Sequence, residues 1–273
     1  ETLNEDITTV NASAMTGGLT LLAANRPDVA MTITGGIGDD TLAMENKNDV
    51  IDAGLGTDTL NLSANGVLGG WAIDLTSTTD QVSTFAGVAN ATVQKGFTHF
   101  DASAVTGAHG VDVTGTAKAN TITGTNFADN ISGGKGDDTI VDGGGFDYLT
   151  GGAGSDTIDG GEGVDEISYG TDAAAGGESG VTVDLNSGTA TDGFGSQDQL
   201  SNIENIIATN EADQLTGSAA ANVILGNAGD DTISGLDGAD TIDGGFGNDA
   251  LSGGLGDDNL LGGGGDDIIV GGL

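Results

Sequence analysis

The chain has no cysteine, a single proline, 4% aromatic residues and five basic side chains among its 273 residues. Without cysteine there is neither a disulfide staple nor a thiolate metal site. So few aromatics are poor material for a wide layered core. The shortage of Lys and Arg excludes nucleic acid as a partner, because phosphate binding rests on basic side chains. No apolar run approaches the ~20 residues that span a bilayer, which argues against membrane insertion. What the chain does have is 52 glycines and 42 acidic residues, for a formal net charge of −37. A compact state of that charge repels itself unless cations are bound. A disordered acidic linker has a similar composition, and periodicity separates the two.

The period is nine residues. From Gly133 to Ser168 the chain reads GGKGDDTIV, DGGGFDYLT, GGAGSDTID and GGEGVDEIS. A second run from Ala208 to Val270 includes GNAGDDTIS, GLDGADTID, GGFGNDALS, GGLGDDNLL and GGGGDDIIV. A shorter block over Gly35 to Asn61 comprises GGIGDDTLA, MENKNDVID and AGLGTDTLN, and two looser units, GTAKANTIT and GTNFADNIS, lead into Gly133. In all sixteen units the eighth position is Leu or Ile, and the sixth is Asp in fourteen and Asn in two, Asn120 and Asn222. A disordered linker has no reason to keep either register.

Each unit divides into a Gly-rich turn and a three-residue segment that favours an extended strand with one inward apolar side chain. Two units make one coil of turn, strand, turn, strand, and stacked coils give two parallel sheets with Leu and Ile between them. The fold class is all-β: a parallel β-roll or β-solenoid with metal in its turns, interrupted by longer β-rich insertions. The organisation expected is a β lead and short repeat block over 1–61, an insertion over 62–114, a repeat block over 115–168, a second insertion over 169–207 and a C-terminal repeat block over 208–273. The insertions echo one another, WAIDL at Trp71–Leu75 against VTVDL at Val181–Leu185. VNASAMTG from Val10 similarly matches FDASAVTG from Phe100. Helix is scarce, with a short turn near Asp80–Phe85 the best candidate. The repeat pattern still runs at Leu273, so the chain is expected to be a piece of a longer protein.

The sixth position carries the chemistry. A hard divalent cation such as Ca²⁺ takes six to eight oxygens from carboxylates and backbone carbonyls, and a Gly-rich turn ending in Asp offers both. Zn²⁺ wants Cys or His ligands that the repeats lack, and Mg²⁺ demands a stricter octahedron. Coils two units apart stack, so an ion should bridge Asp40 with Asp58, Asp138 with Asp156, Asp147 with Asp165, Asp231 with Asp249, Asp249 with Asp267, and Asp240 with Asp258. Asp129 and Asp213 hold the same position in looser units. Two ion rows follow, one along each edge, with about eight to ten Ca²⁺ in all. The fifth-position acids Asp39, Asp137, Asp230, Asp257 and Asp266 point away from the ion and serve solubility and long-range attraction of cations.

These units resemble the GGxGxDxUx nonapeptides of the repeats-in-toxin (RTX) family. The resemblance implies a parallel β-roll in a protein that leaves a Gram-negative bacterium unfolded, through type I secretion, and folds on meeting extracellular Ca²⁺. It further implies that carbonyls of positions one and three of one turn, and two and four of its stacked partner, complete each site. For one site these are Gly133, Lys135, Gly152 and Gly154 beside Asp138 and Asp156. MENKNDVID lacks every turn glycine, which weakens Asp49 as a ligand, and Asn120 and Asn222 imply weak or missing ions.

RTX repeats accompany many activities, so the fold does not select one. The Thr/Ala/Gly-rich leads interleaved with repeat blocks look like bacterial surface-layer proteins. That implies a cell-surface location, self-association in a lattice and a cell-surface polysaccharide as a further partner. The alternative is the calcium-binding tail of a type I-secreted enzyme, toxin or adhesin. No catalytic constellation is present: His99 and His109 stand alone, and neither HExxH nor GxSxG occurs. The Asn-x-Ser/Thr sites at Asn11, Asn61, Asn90 and Asn130 are expected by chance.

Overall fold

The computed structural model of the chain describes residues 7–22, 30–44, 48–62, 71–85, 88–89, 94–106 and 109–273. It divides into two compact units, one comprising Glu1–Gly133 with Thr139–Gly144, the other Gly134–Asp138 with Gly145–Leu273. Both are parallel β-rolls, whose strands are two to seven residues long.

In the first unit one sheet runs through Thr20–Leu21, Thr41–Met44, Thr59–Leu62, His99–Asp101, Thr121–Thr123 and Thr139–Gly145, in that spatial order. Its register aligns the eighth-position residues: Leu42 faces Leu60, Leu60 faces Phe100, Phe100 faces Ile122 and Ile122 faces Ile140. All five are buried. The column therefore passes through the 62–114 insertion with Phe100 standing in for Leu or Ile. Such a side chain contributes roughly 1.5–3 kcal/mol when fully buried, so the column is the main apolar glue of a narrow core. A second column, Ile73 to Val113 to Ile131, links Trp71–Asp74, Val111–Thr114 and Asn130–Lys135.

In the second unit the columns are Leu149, Ile167, Ile206, Ile224, Ile242, Leu260 on one sheet and Val183, Leu215, Ile233, Leu251, Ile269 on the other. The 169–207 insertion adds Thr182–Asp184, Thr189–Thr191 and Gln197–Ser201 to the second of these sheets. The middle strand runs antiparallel to both its neighbours. Three strands of a meander thus lie between Thr157–Gly163 and Gln214–Thr216.

The echoes between segments correspond to shared local structure. Trp71–Asp74 and Thr182–Asp184 each receive an antiparallel partner, Val82–Phe85 and Thr189–Thr191 respectively. Asn11 and Asp101 both end a strand by accepting a backbone N–H two residues on, from Ser13 and Ser103. The helical turn expected near Asp80–Phe85 is not there. Val82–Phe85 is a strand, because the β-branched Val82 and Thr84 suit the pleated edge beside Trp71–Asp74, where they face Ile73 and Ala72. Among the described residues the helix present is Asp172–Ala175. Asn90 lies outside the described residues.

Candidate metal centres

Stacking brings the sixth-position aspartates together through one repeated bond. The backbone N–H of Asp138 donates to Oδ1 of Asp156, 18 residues on, at 2.8 Å. The same bond joins Asp40 to Asp58 at 2.7 Å, Asp147 to Asp165 at 3.0 Å, Asp231 to Asp249 at 2.9 Å, Asp240 to Asp258 at 3.0 Å and Asp249 to Asp267 at 3.0 Å. It also joins Asp213 to Asp231 and Asn222 to Asp240, both at 2.8 Å. Every pair named from the sequence is thus in register, and two such ladders run through the second unit.

The other carboxylate oxygen has no such partner. Oδ2 of Asp58, Asp156, Asp165, Asp231, Asp240, Asp249 and Asp258 is buried without a hydrogen bond. An unpaired buried oxygen of a charged group is costly. Its position explains the glycine that opens most units: a Cβ at Gly151, Gly226, Gly235, Gly244 or Gly253 would run into Oδ2 of the aspartate five residues later. Beside Gly235 the same space holds the carbonyl oxygen of Gly253, 2.8 Å from where that Cβ would lie. Beside Gly226 it holds the carbonyl of Gly244, at 2.6 Å. A carboxylate oxygen and a carbonyl oxygen of the next coil therefore converge with no donor between them. That is an oxygen-only cradle of the kind a hard divalent cation takes. Leu236 and Asn227, at the second position of their turns, hold φ at 78° and 67°. The turn thus keeps its left-handed residue even where glycine is missing.

Burial pushes the carboxyl pKa up to about 7 at Asp231 and about 6 at Asp58 and Asp156. The hydrogen bond from the preceding coil pulls the other way, and neighbouring acids add to the rise. Asp165 and Asp240 shift upward for the same first cause. A bound cation reverses this, because metal ligation takes the deprotonated form.

Asp129 and Asp213 sit differently. Oδ2 of Asp213 accepts from the backbone N–H of Thr209 at 2.9 Å, and the Thr209 hydroxyl donates to the carboxylate at 2.9 Å. Its Oδ1 also takes the N–H of Val181 at 2.6 Å. Asp129 has the same set from Thr125 and Val111. Asn120 and Asn222 repeat it with Thr116 and Ser218, and the Asn222 amide donates to the Glu204 carbonyl at 2.6 Å. Asp40 also has both oxygens engaged, by the N–H groups of Leu19 and Gly36. Asp49 is buried and accepts from Met31 at 2.8 Å.

Of the predicted backbone ligands, Gly152 and Gly154 face the carbonyls of Gly134 and Gly136 in the preceding coil, Gly133 directs its carbonyl to Gly115 beside Asn120, and Lys135 is exposed. The fifth-position acids are exposed, and three of them tie coils together: Asp39, Asp137 and Asp230 accept the N–H groups of Thr57, Ser155 and Asn248. His99 is half-buried, its pKa lowered by that burial, and its Nδ1 accepts the N–H of Thr121 at 2.7 Å.

Five acids not anticipated from the repeats join these sites. Asp198 and Glu204 accept the N–H groups of Asp156 and Asp165, at 3.0 and 2.9 Å, so they continue both ladders after the insertion. The signal was present, since Asp198-Gln199-Leu200 and Glu204-Asn205-Ile206 keep an acid two residues before an apolar residue. Asp142 opens its unit where glycine is usual, and its carboxylate reaches within 4.8 Å of that of Asp129. Asp172 and Asp192 are buried in the insertion.

A comparison with curated proteins gives no match. The family profile of the RTX calcium-binding nonapeptide repeat matches residues 34–64, 114–141, 133–167, 207–242, 216–251 and 243–273, together more than half of the chain. Repeats of this family bind multiple Ca²⁺ ions, and the orphaned aspartate oxygens are suited to that ion, with Asp58, Asp156, Asp165, Asp231, Asp240, Asp249 and Asp258 as its holders. The chain belongs to the RTX calcium-binding nonapeptide repeat family.

Proposed function

We propose that the chain is an extracellular structural module that folds on binding Ca²⁺ and assembles, as part of a bacterial surface layer, into a lattice on the cell. The observation that carries this reading is the set of buried Oδ2 atoms with no protein partner. Without a cation they oppose the same stacking that the Leu and Ile columns favour. In the cytosol, Ca²⁺ lies below the 10⁻⁴–10⁻³ M range of extracellular sites, so the chain stays unfolded and suited to type I export. Outside, at ten times Kd, each independent site stabilises the fold by roughly 1.4 kcal/mol. Several such sites suffice for a switch, given total stabilities of about 5–15 kcal/mol.

The role is mechanical rather than catalytic. The acids that could mimic a hydrolase pair sit in the stacked turns, and Nδ1 of His99 is taken by the backbone N–H of Thr121. The lattice reading is supported by the two insertions, whose antiparallel hairpins interrupt otherwise uniform rolls. Circular dichroism with light scattering through a Ca²⁺ titration tests folding and assembly together. The expected result is β structure and then ordered sheets with Ca²⁺ and neither with Mg²⁺. Folding to a stable monomer at all protein concentrations favours the tail of a secreted enzyme, toxin or adhesin. A β spectrum unchanged by chelator overturns the switch itself.

A further inference from the structure

The few cations of the chain are not spread evenly. Of its five basic side chains, Lys95, Lys118 and Lys135 are described, and two of these three meet at one pocket of the first unit. The pocket has a volume of about 570 Å³, within the roughly 300–1,000 Å³ typical of small-ligand sites. Its walls are the loops at 75–78, 95–98 and 116–118, with Asp52 and Gly54 on the remaining side. None of its lining residues is a sixth-position Asp or Asn, so it is separate from the candidate metal centres.

Two buried side-chain amides hold these walls in place. Gln81 donates to the carbonyls of Leu75 and Phe97, both at 2.8 Å, and accepts the Phe97 N–H at 2.8 Å. Asn120 donates to the carbonyl of Thr98 and accepts the N–H of Thr116 at 2.6 Å, which ties the second loop to the third. A site preformed in this way loses little entropy when a ligand enters. The Lys95 ammonium lies 2.9 Å from Asp52 Oδ2, whereas the exposed Lys118 pairs with no carboxylate among the described residues. Asp74 and Asp80, on either side of the 76–78 loop, accept the backbone N–H groups of Thr76 and Gln94 and do not line the pocket. Two lysines against one aspartate leave a single positive charge in excess, on a chain of net charge −37.

That charge and the hydroxyls around it decide the ligand. Thr76, Ser77, Thr78, Thr98 and Thr116 line the pocket. Thr76 and Thr98 donate their hydroxyl protons to Asp74 and to the Asp58 carbonyl, so their oxygens are left to accept. Acceptors of this kind beside two ammonium donors match a polyhydroxylated molecule, and the methyl and methylene groups of the same side chains offer an apolar seat for its C–H face. A phosphate monoester brings about 1.5–2 negative charges, more than the pocket neutralises, whereas a carboxylate brings one. We propose that the pocket binds a carboxylate-bearing sugar unit of an acidic polysaccharide, with Lys118 on the carboxylate and the Lys95–Asp52 pair as donor and acceptor to ring hydroxyls. The site gives the cell-surface module a ligand and rests on that reading only for where the polysaccharide lies. Bound Ca²⁺ cancels part of the negative field of the chain, so the pocket takes its anion best on the ion-loaded roll.

Methyl glucuronide is titrated into the isotope-labelled whole chain at fixed, saturating Ca²⁺ and followed by NMR, with methyl glucoside, acetate and a polyglutamate peptide as comparisons. The expected result is chemical-shift change confined to the amides of residues 75–78, 96–98 and 116–118, and binding of the neutral glucoside weaker by about tenfold or more. Lys118→Gln should show a like loss for the glucuronide, and Lys118→Arg should restore it. Lys118 is exposed in its turn, so the rest of the spectrum should stay as it was in both variants. Equal affinity for glucuronide and glucoside, or for the unaltered chain and Lys118→Gln, overturns the proposal. Acetate or polyglutamate bound as tightly as the glucuronide overturns it too, by showing an unselective anion site or a peptide site. Each of these outcomes leaves the aspartate turns and the lattice standing, whereas a β spectrum unchanged by chelator removes the calcium switch and leaves this pocket untouched.

Discussion

Two adjoining turns of the second unit, one ending at Asp213 and the other at Asp231, share a ladder bond and yet close by different chemistry. The Asp213 turn, ATNEAD, satisfies its carboxylate with a threonine hydroxyl and backbone N–H groups. The Asp231 turn, GNAGDD, leaves Oδ2 buried and unpartnered. The first kind recurs at Thr116–Asn120, Thr125–Asp129 and Ser218–Asn222, always with Thr or Ser second and Ala fifth. These four turns lie just after the insertions, where each run of repeats resumes. A hydroxyl-closed coil completes itself from its own residues, whereas a glycine-rich coil needs something from solution. The repeat therefore restarts on coils whose sixth-position side chain is hydrogen-bonded within its own turn and continues on coils whose Oδ2 is left unpartnered, although at Asp129 the carboxylate of Asp142 also lies within 4.8 Å.

That contrast is sharpened most by pH in the presence of chelator. Folded-state values raised to about 6 at Asp58 and Asp156 and about 7 at Asp231, against an ordinary 3.8, mean that the folded form binds more protons than the unfolded one between these limits. Ion-free stability is then greatest below about pH 4 and lost as pH rises through about 6–7. Chemical denaturation in EGTA at pH 5 and pH 8 should show the glycine-rich coils markedly weaker at pH 8. Equal midpoints would mean that the carboxylates carry no such burden.

A smaller effect, but one that changes sign, is expected from Asp231→Asn. With Ca²⁺ at ten times Kd the variant should lose roughly 1.5–3 kcal/mol, one or two ions' worth. In chelator at pH 8 it should be more stable than the original, because a buried charge is gone. Destabilisation under both conditions would place Asp231 among ordinary hydrogen-bonding residues. Smallest is Thr209→Val, expected to cost about 1–2 kcal/mol for the lost hydroxyl, by the same amount with and without Ca²⁺. A cost that appears only in Ca²⁺ would erase the distinction between the two kinds of turn.

The columns of Leu and Ile and the pairing of aspartates 18 residues apart could be read from the chain because a nine-residue period leaves each coil only one way to stack on the next. The hydroxyl closure was less legible, since Thr125 and Thr209 look like ordinary substitutions for glycine until their distance to the carboxylate is known. The insertions were harder still. Tyr169 and Asp198 lie 29 residues apart, and the antiparallel strand Thr189–Thr191 brings them together without any local period. The helical turn expected near Asp80–Phe85 is a strand at Val82–Phe85 instead, because the edge of Trp71–Asp74 is open to pair with it, which no local pattern shows.

The amide-to-carboxylate ladder has a direction, since each coil donates to the one that follows it. Along that axis the joints are nearly equal, 2.8 to 3.0 Å in the run from Asp213 to Asp267. Pulled end to end, such a run has no single weak link, and its coils yield one after another at similar tension. A module built on it would absorb a stretch by peeling turns and recover them as each slides back into place.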